Sequence, residues 1–256
     1  MADPQTSLAI LEGTDLSEDR LSTLDSQVYS VLEDIWTDRS DPANPIARGG
    51  GNLKRDKCVA LHNLVSAIRP TSTIEIGLFM ATSAIVIMAA AQRAGYLGHI
   101  AMDPVQSSAM NNAGIKNIEK AGLTPAFSFL EAESCYGLPY IIMNKKMSFD
   151  FAFIDASHHF DHTMIEFFYL DRLIPVGGII GFDDVGVPAV KAAINYVAAN
   201  RHYACRKTGA FICAVKMAED SRHWFEFNRF DIPETDQFLS NIYKKTGRPP
   251  RLKKYD

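Results

Sequence analysis

Asp155 closes the apolar run Phe-Ala-Phe-Ile, and Asp183 with Asp184 closes Ile-Ile-Gly-Phe. Three carboxylates gathered with no compensating Lys or Arg repel one another. A hard divalent cation with oxygen ligands relieves that repulsion. Mg²⁺ suits it, because it keeps waters and substrate oxygens in its remaining positions. A Mg²⁺ site formed by Asp155, Asp183 and Asp184 is therefore expected. His158, three residues past Asp155, is the candidate general base, since an imidazole of near-neutral pKa can take a hydroxyl proton. His159 is its rival. His158 and His162 also share a four-residue spacing, but position 159 is His, so the Glu of a zinc H-E-x-x-H motif is missing.

Other acids stand at the ends of similar runs: Glu75 in Glu-Ile-Gly, Asp103 after His-Ile-Ala-Met, and Glu131 and Glu133. Gly77 permits a tight turn and a close backbone approach to a ligand. The N–H groups at about Thr82 and Ser83, opening a helix, suit a carboxylate or phosphate. Phe79 and Met80 occupy loop positions, so the segment is neither G-x-G-x-x-G nor a phosphate-binding loop ending in Gly-Lys-Ser. Dinucleotides and nucleoside triphosphates lose weight accordingly. Asp103 is placed to accept from both hydroxyls of a ribose. A ribose and a free amino-acid carboxylate without a polyphosphate describe S-adenosylmethionine.

The elements that must position these residues follow from periodicity. Strands are predicted over 73–76, 99–102, 126–130, 149–154 and 179–182. Helices are predicted over 82–94, 107–121, 136–146, 162–173 and 189–199. Such alternation implies a parallel sheet with helices on both faces, and ligands bind beyond the carboxyl ends of its strands. Segments 203–207 and 211–217 flank Thr208-Gly209-Ala210 as a hairpin, which makes the last strand antiparallel. The expected fold is α/β: a Rossmann-like doubly wound sheet of about seven strands. Ahead of it, residues 1–16 show no periodicity. Ser17 is read as the N-cap of a helix to Trp36, with Leu21, Leu24, Val28, Val31, Leu32 and Ile35 on one face, and a second helix fits 55–69. Residues 1–54 are expected to form a helical lid with Gly49–Gly51 as hinge, 55–217 the cofactor domain, and 218–256 an extension. Trp224, Phe225 and Phe227 either wall the pocket or pack a dimer interface.

Composition narrows the class. The 256 residues are 47% hydrophobic, and 26 Lys and Arg face 30 Asp and Glu, a net charge of −4. No apolar run approaches the length of a membrane helix. Weak acidity argues against nucleic-acid binding. The six Lys and Arg between Lys244 and Lys254 read as a solvated or dimer-docking tail. An early Asp and no basic leader argue against a signal peptide, so a cytoplasmic protein is expected, with a homodimer as its assembly. Four cysteines lack metal spacing and read as reduced thiols, with Cys205 and Cys213 as candidate cross-strand neighbours.

The segments Glu-Ile-Gly-x-x-x-Ala-x-Ser, His-Ile-Ala-Met-Asp, Phe-Asp-Phe-Ala-Phe-Ile-Asp-Ala-Ser-His and Val-Gly-Gly-Ile-Ile-Gly-Phe-Asp-Asp together resemble the class I S-adenosylmethionine-dependent methyltransferases. They are most similar to the metal-dependent small-molecule O-methyltransferases of the catechol and macrocin types. The resemblance runs from about Arg55 to Met217. It implies that Glu75, Gly77 and Ser83 contact the methionine part, that Asp103 holds the ribose, and that Glu133 and Ser134 lie beside the adenine. It also implies a small-molecule acceptor with a hydroxyl, with His158 where catechol-type enzymes carry a catalytic Lys. Two positions depart from the pattern: Ala81 stands where Gly is usual, and Asp183-Asp184 where catechol enzymes have Asp-Asn. The second departure turns the expected acceptor away from simple catechols. N- or C-methylation, cyclisation and a non-catalytic nucleoside-binding module are the alternatives.

Overall fold

A computed structural model describes residues 2–37 and 52–247. Seven strands form one sheet: β1 (Ser72–Ile76), β2 (Gly98–Met102), β3 (Phe127–Leu130), β4 (Phe151–Ile154), β5 (Ile179–Phe182), β6 (Tyr203–Thr208) and β7 (Phe211–Lys216). Their spatial order is β3-β2-β1-β4-β5-β7-β6. The first five run parallel; β7 lies antiparallel to β5 and to β6. The predicted fold class and the hairpin are both present.

The pleat sorts β4 cleanly. Phe151 and Phe153 enter one core, while Ala152 and Ile154 enter the other. The first core is covered by α2 (Ser26–Thr37), α3 (Arg55–Ile68), α4 (Thr82–Ala91) and α5 (Ala113–Lys120). The second is covered by α6 (Ser134–Asn144), α7 (Phe160–Leu173) and α8 (Pro188–Asn200). Helix α4 reads Thr-Ser-Ala-Ile-Val-Ile-Met-Ala-Ala-Ala and is buried nearly all round, because α3 and α2 pack on the side away from the sheet.

The N-terminal expectations need correction. Residues Pro4–Gly13 form a helix, α1, capped by Asp3, whose carboxylate accepts from the Gln5 and Thr6 amides. Pro4 at the first helical position completes a start signal that outweighs the missing periodicity. The next helix starts at Ser26, not Ser17. The Asp25 carboxylate accepts from Gln27 N at 2.8 Å, and Leu21 lies in a separate single turn. Both helices pack onto the core: α1 on β6, β7 and α3, and α2 on α4 and α5. Gly49–Gly51 lie outside the described residues. The C-terminal extension contains a helix the pattern did not reveal, α9 (Asp236–Thr246). Cys205 and Cys213 are offset by one register step, since Cys213 opposes Arg206, and both are free thiols.

Two loop residues after β1 shape the site. Gly77 has φ +95°, and a Cβ there would lie 2.0 Å from the Asp155 carbonyl oxygen. Ala81, buried, holds φ +67° just before α4. Left-handed backbone costs a non-glycine residue roughly 1–2 kcal/mol, so the Gly usual at this position is conformationally easier. Gly77→Ala is expected to lower stability by more than about 3 kcal/mol through clash and backbone strain. Ala81→Gly should raise it by up to about 1 kcal/mol. Chemical denaturation of both variants measures the contrast.

Candidate active site

Strands β1 to β4 end on one cavity of about 390 Å³, whose wall includes Gly77, Asp103, Glu133, Ser134, Asp155 and His158. The Gly77 amide donates to the Met102 carbonyl at 2.8 Å, tying the loop to β2. Asp103 is buried, and its carboxylate accepts from three backbone amides: Leu78 at 3.1 Å, Phe79 at 3.0 Å and Val105 at 2.8 Å. It thereby fixes the loop that carries Gly77 and retains acceptor capacity, because each carboxylate oxygen has more than one lone pair. Glu133 stands at the N-cap of α6, and Ser134 opens that helix.

Two expected cofactor contacts are not brought to this cavity. Glu75 is fully buried on the opposite face of β1, where Oε1 lies 3.4 Å from His99 Nε2. The reason is the pleat: Ile74 and Ile76 take the other face, so Glu75 shares a side with Thr73. Thr73 Oγ1 in turn contacts Tyr96 Oη at 2.7 Å and His99 Nδ1 at 2.8 Å. Ser83 is buried in the first turn of α4, away from the cavity wall. Trp224, Phe225 and Phe227 are exposed and take no part in the wall. A larger open hollow, about 840 Å³, lies between residues 14–19, the start of α3 and the β6–β7 turn, and holds none of the strand-end acids.

At the cavity rim, Asp155, His158 and Asp184 offer ligand atoms that all lie within 4.8 Å of one another. His158 Nε2 is 2.9 Å from Asp184 Oδ2 and 3.4 Å from Asp155 Oδ1. The hydrogen bonds of Asp155 and then Asp184 carry the imidazole pKa up to about 10, against the opposing effect of burial. The hydrogen bond from His158 leads in lowering Asp184 to about 2. The near-neutral histidine expected from sequence is thus an imidazolium in this arrangement.

Asp183 stands apart from that group. It is buried, and its Oδ1 accepts from Lys57 Nζ at 2.6 Å and from the Asp184 amide at 2.6 Å. Lys57 also reaches Asp184 Oδ1 at 3.2 Å. Burial pulls the Lys57 pKa down, but the Asp183 hydrogen bond and the two carboxylate charges leave it raised. Asp183 is raised as well, because burial and the Asp155 charge outweigh the ammonium. The expectation of carboxylates without a compensating Lys is therefore overturned. Two carboxylates and an imidazole still form a donor set that fits a divalent cation, with His158 standing where Asp183 was expected.

Sequence reasoning missed Lys57 and Glu166. A Lys in the first turn of a helix opposes the helix dipole, which is a signal that an acid awaits it. Glu166 is buried in the cavity wall on α7, in helical register with buried Thr163, Phe167 and Leu170, where an apolar residue is the rule. Ser134 Oγ donates to its Oε1 at 2.9 Å.

Comparison with known proteins bears on the family. Residues 74–185 match the family described as a methyltransferase domain. A probable caffeoyl-CoA O-methyltransferase of Arabidopsis thaliana is 32% identical over 167 residues, which span 63% of this chain and 68% of that protein. The chain belongs to the class I S-adenosylmethionine-dependent O-methyltransferases. The tapetum-specific methyltransferase 1 of the same plant is 34% identical over 141 residues, 52% of this chain. The match spans 57% of that relative's length, little more than half. Among solved structures, an O-methyltransferase from Bacillus cereus in complex with SAH superposes with a TM-score of 0.61 at 18% identity, over 80% of this chain and 100% of that one. TomG from Streptomyces achromogenes, in complex with SAM, gives 0.61 at 16% identity, over 78% of this chain and 100% of that one. These two likenesses establish the family's fold in this chain.

Burial carries the Glu166 carboxyl up to about 7 from an ordinary 4.5, with the Ser134 hydrogen bond opposing. Between these pH values the folded chain binds more protons than the unfolded one, so stability falls as pH rises. The full penalty, at most about 3 kcal/mol, applies above pH 7. Glu166→Gln carries no such charge. Its melting temperature relative to wild type should therefore climb from pH 4.5 to pH 7 and then level off, which calorimetry across that range tests.

Proposed function

We propose that this chain transfers the methyl group of S-adenosylmethionine to a hydroxyl of a small natural product. The observation that supports it most is the placing of Asp155, His158 and Asp184 on the rim of the cavity that holds Gly77 and Asp103. A nucleoside-sized hollow and a charged cluster able to act on an oxygen thus share one cleft. The relatives named as caffeoyl-CoA O-methyltransferases support the same class of acceptor atom. In this reading residues 55–217 carry the reaction.

The sulfonium already holds an activated methyl, so the protein's work is alignment of oxygen, carbon and sulfur. Gly77 brings backbone against the methionine part. Asp103 fixes that loop and accepts from the ribose hydroxyls. Glu133 and Ser134 border the adenine. Asp155, Asp184 and His158 would hold Mg²⁺ or another divalent cation. When bound, that cation supplies positive charge that lowers the pKa of the acceptor hydroxyl. His158 serves either as the third ligand or as the base, since one Nε2 lone pair cannot hold a cation and take the hydroxyl proton together.

A second reading rests on Lys57. Its ammonium already faces Asp183 and Asp184, and together with the His158 imidazolium it offers positive charge at the rim without a metal. Turnover with and without EDTA separates the two. The metal reading expects a loss of at least tenfold, restored by Mg²⁺; undiminished turnover supports Lys57 and His158 instead.

Asp103→Ala removes an acceptor for three amides and for the ribose. It should raise the dissociation constant of S-adenosylhomocysteine by about tenfold or more. Asp155→Ala should leave that constant within about threefold while abolishing turnover. Titration calorimetry of both variants checks the division of labour.

A further inference from the structure

Glu166 is a carboxyl in a place built for an apolar side chain. It is 2% exposed, on the core-facing stripe of α7, and no Lys or Arg among the described residues pairs with it. A buried acid without a counter-ion is unfavourable unless hydrogen bonds satisfy it. The Ser134 hydroxyl satisfies one oxygen at 2.9 Å. The residue belongs to the cavity wall together with His162, one turn earlier on the same helix. Its contact with Ser134, at the start of α6, places it beside that residue, and Ala132, Glu133 and Ser134 all belong to the same cavity wall.

On the reading that the cavity takes S-adenosylmethionine, the base of the nucleoside lies at this end. An adenine ring presents acceptors at N1, N3 and N7, and its exocyclic 6-amino group is its hydrogen-bond donor. Above pH 7, where this carboxyl is ionised, the oxygen left free by Ser134 matches that donor and repels a 6-oxo group. We propose that Glu166 is a specificity-determining residue that selects a 6-aminopurine over a 6-oxopurine in the cofactor. Ser134 is its positioning residue, holding the other carboxyl oxygen. Burial strengthens the discrimination, because a site built around a buried polar group leaves that group unpaired when the wrong partner binds.

The test is calorimetric binding of S-adenosylhomocysteine and of its hypoxanthine analogue, S-inosylhomocysteine, to the full chain at about pH 8.5, where the carboxyl is ionised. Wild type is expected to favour the adenine compound by tenfold or more. Glu166→Met keeps the bulk and the helix but offers the base neither a strong donor nor a strong acceptor. It should weaken the adenine compound, leave the hypoxanthine compound unchanged or tightened, and shrink the preference to threefold or less. Ser134→Ala should shrink it part of the way. Equal affinities in wild type overturn the proposal without any variant. A Glu166→Met protein that loses both ligands alike, or keeps the wild-type preference, overturns it too and makes Glu166 a structural residue. If wild type binds S-adenosylhomocysteine not at all, the cofactor reading itself falls, and this inference with it.

Discussion

The site depends on how closely β1 and β4 approach at their carboxyl ends. At Gly77 the two strands leave no room for a side chain, since a Cβ would sit 2.0 Å from the Asp155 carbonyl oxygen. This is also where the chain order reverses across the sheet, with β1 leading to β2 on one side and β4 to β5 on the other. The loops beyond such a pair diverge and leave a crevice. Asp103 arrives in it from the β2 side, and Asp155 and Asp184 from the β4 and β5 side. No separate domain is needed to bring the nucleoside-sized hollow and the acidic rim together.

Charge at that rim is balanced from outside the strand ends. Asp183 is almost fully buried, and a buried carboxylate without a partner would be strongly destabilising. Lys57 supplies the partner from α3, a helix that precedes the sheet altogether. His158 plays the corresponding part for Asp155 and Asp184, which lie nearer the surface. Two cations thus face three carboxyls, and the rim is far less negative than its acids alone would make it. A divalent cation bound there would compete with the imidazole proton for the same two carboxylates, whereas Lys57 guards the third.

Much of this arrangement was legible in the sequence, and what was not has physical reasons. Strand ends were readable because short apolar runs stop at Asp or Gly, and β1 through β5 ended within a residue of expectation. Gly77, Asp103, Glu133, Ser134, Asp155 and His158 do share one cavity. Glu75 was legible as a strand-end acid, and a period of two gives its side: flanking Ile74 and Ile76 take one face, so Glu75 takes the other. Lys57 meets Asp183 across 126 positions of sequence, and no local pattern encodes such a pairing. Helix α1 was missed for another reason. Its apolar face is sparse, with Leu11 the buried anchor, and its start is written in Asp3 and Pro4 rather than in periodicity.

Backbone strain gathers at the same rim. Among the described residues, eight non-glycines have positive φ. Asn111 and Asn112 are of a type that tolerates it, and Arg69 and Lys146 lie just past helix ends, where a left-handed residue commonly terminates the helix. The remaining four are Phe79, Ala81, His158 and Asp184, all in loops that follow strand ends. His158 and Asp184 are, like asparagine, of types that adopt it more readily, whereas Phe79 and Ala81 hold an unfavourable conformation that their surroundings must impose. The surroundings are visible: the Phe79 amide is held by Asp103, Ala81 is packed into the core, and His158 and Asp184 hold each other through a charged contact. At Phe79 strain and charge are therefore coupled through Asp103. The carboxylates and the imidazole that define the rim also keep its backbone in place, so a change in their ionic partners acts on loop geometry as well as on local potential.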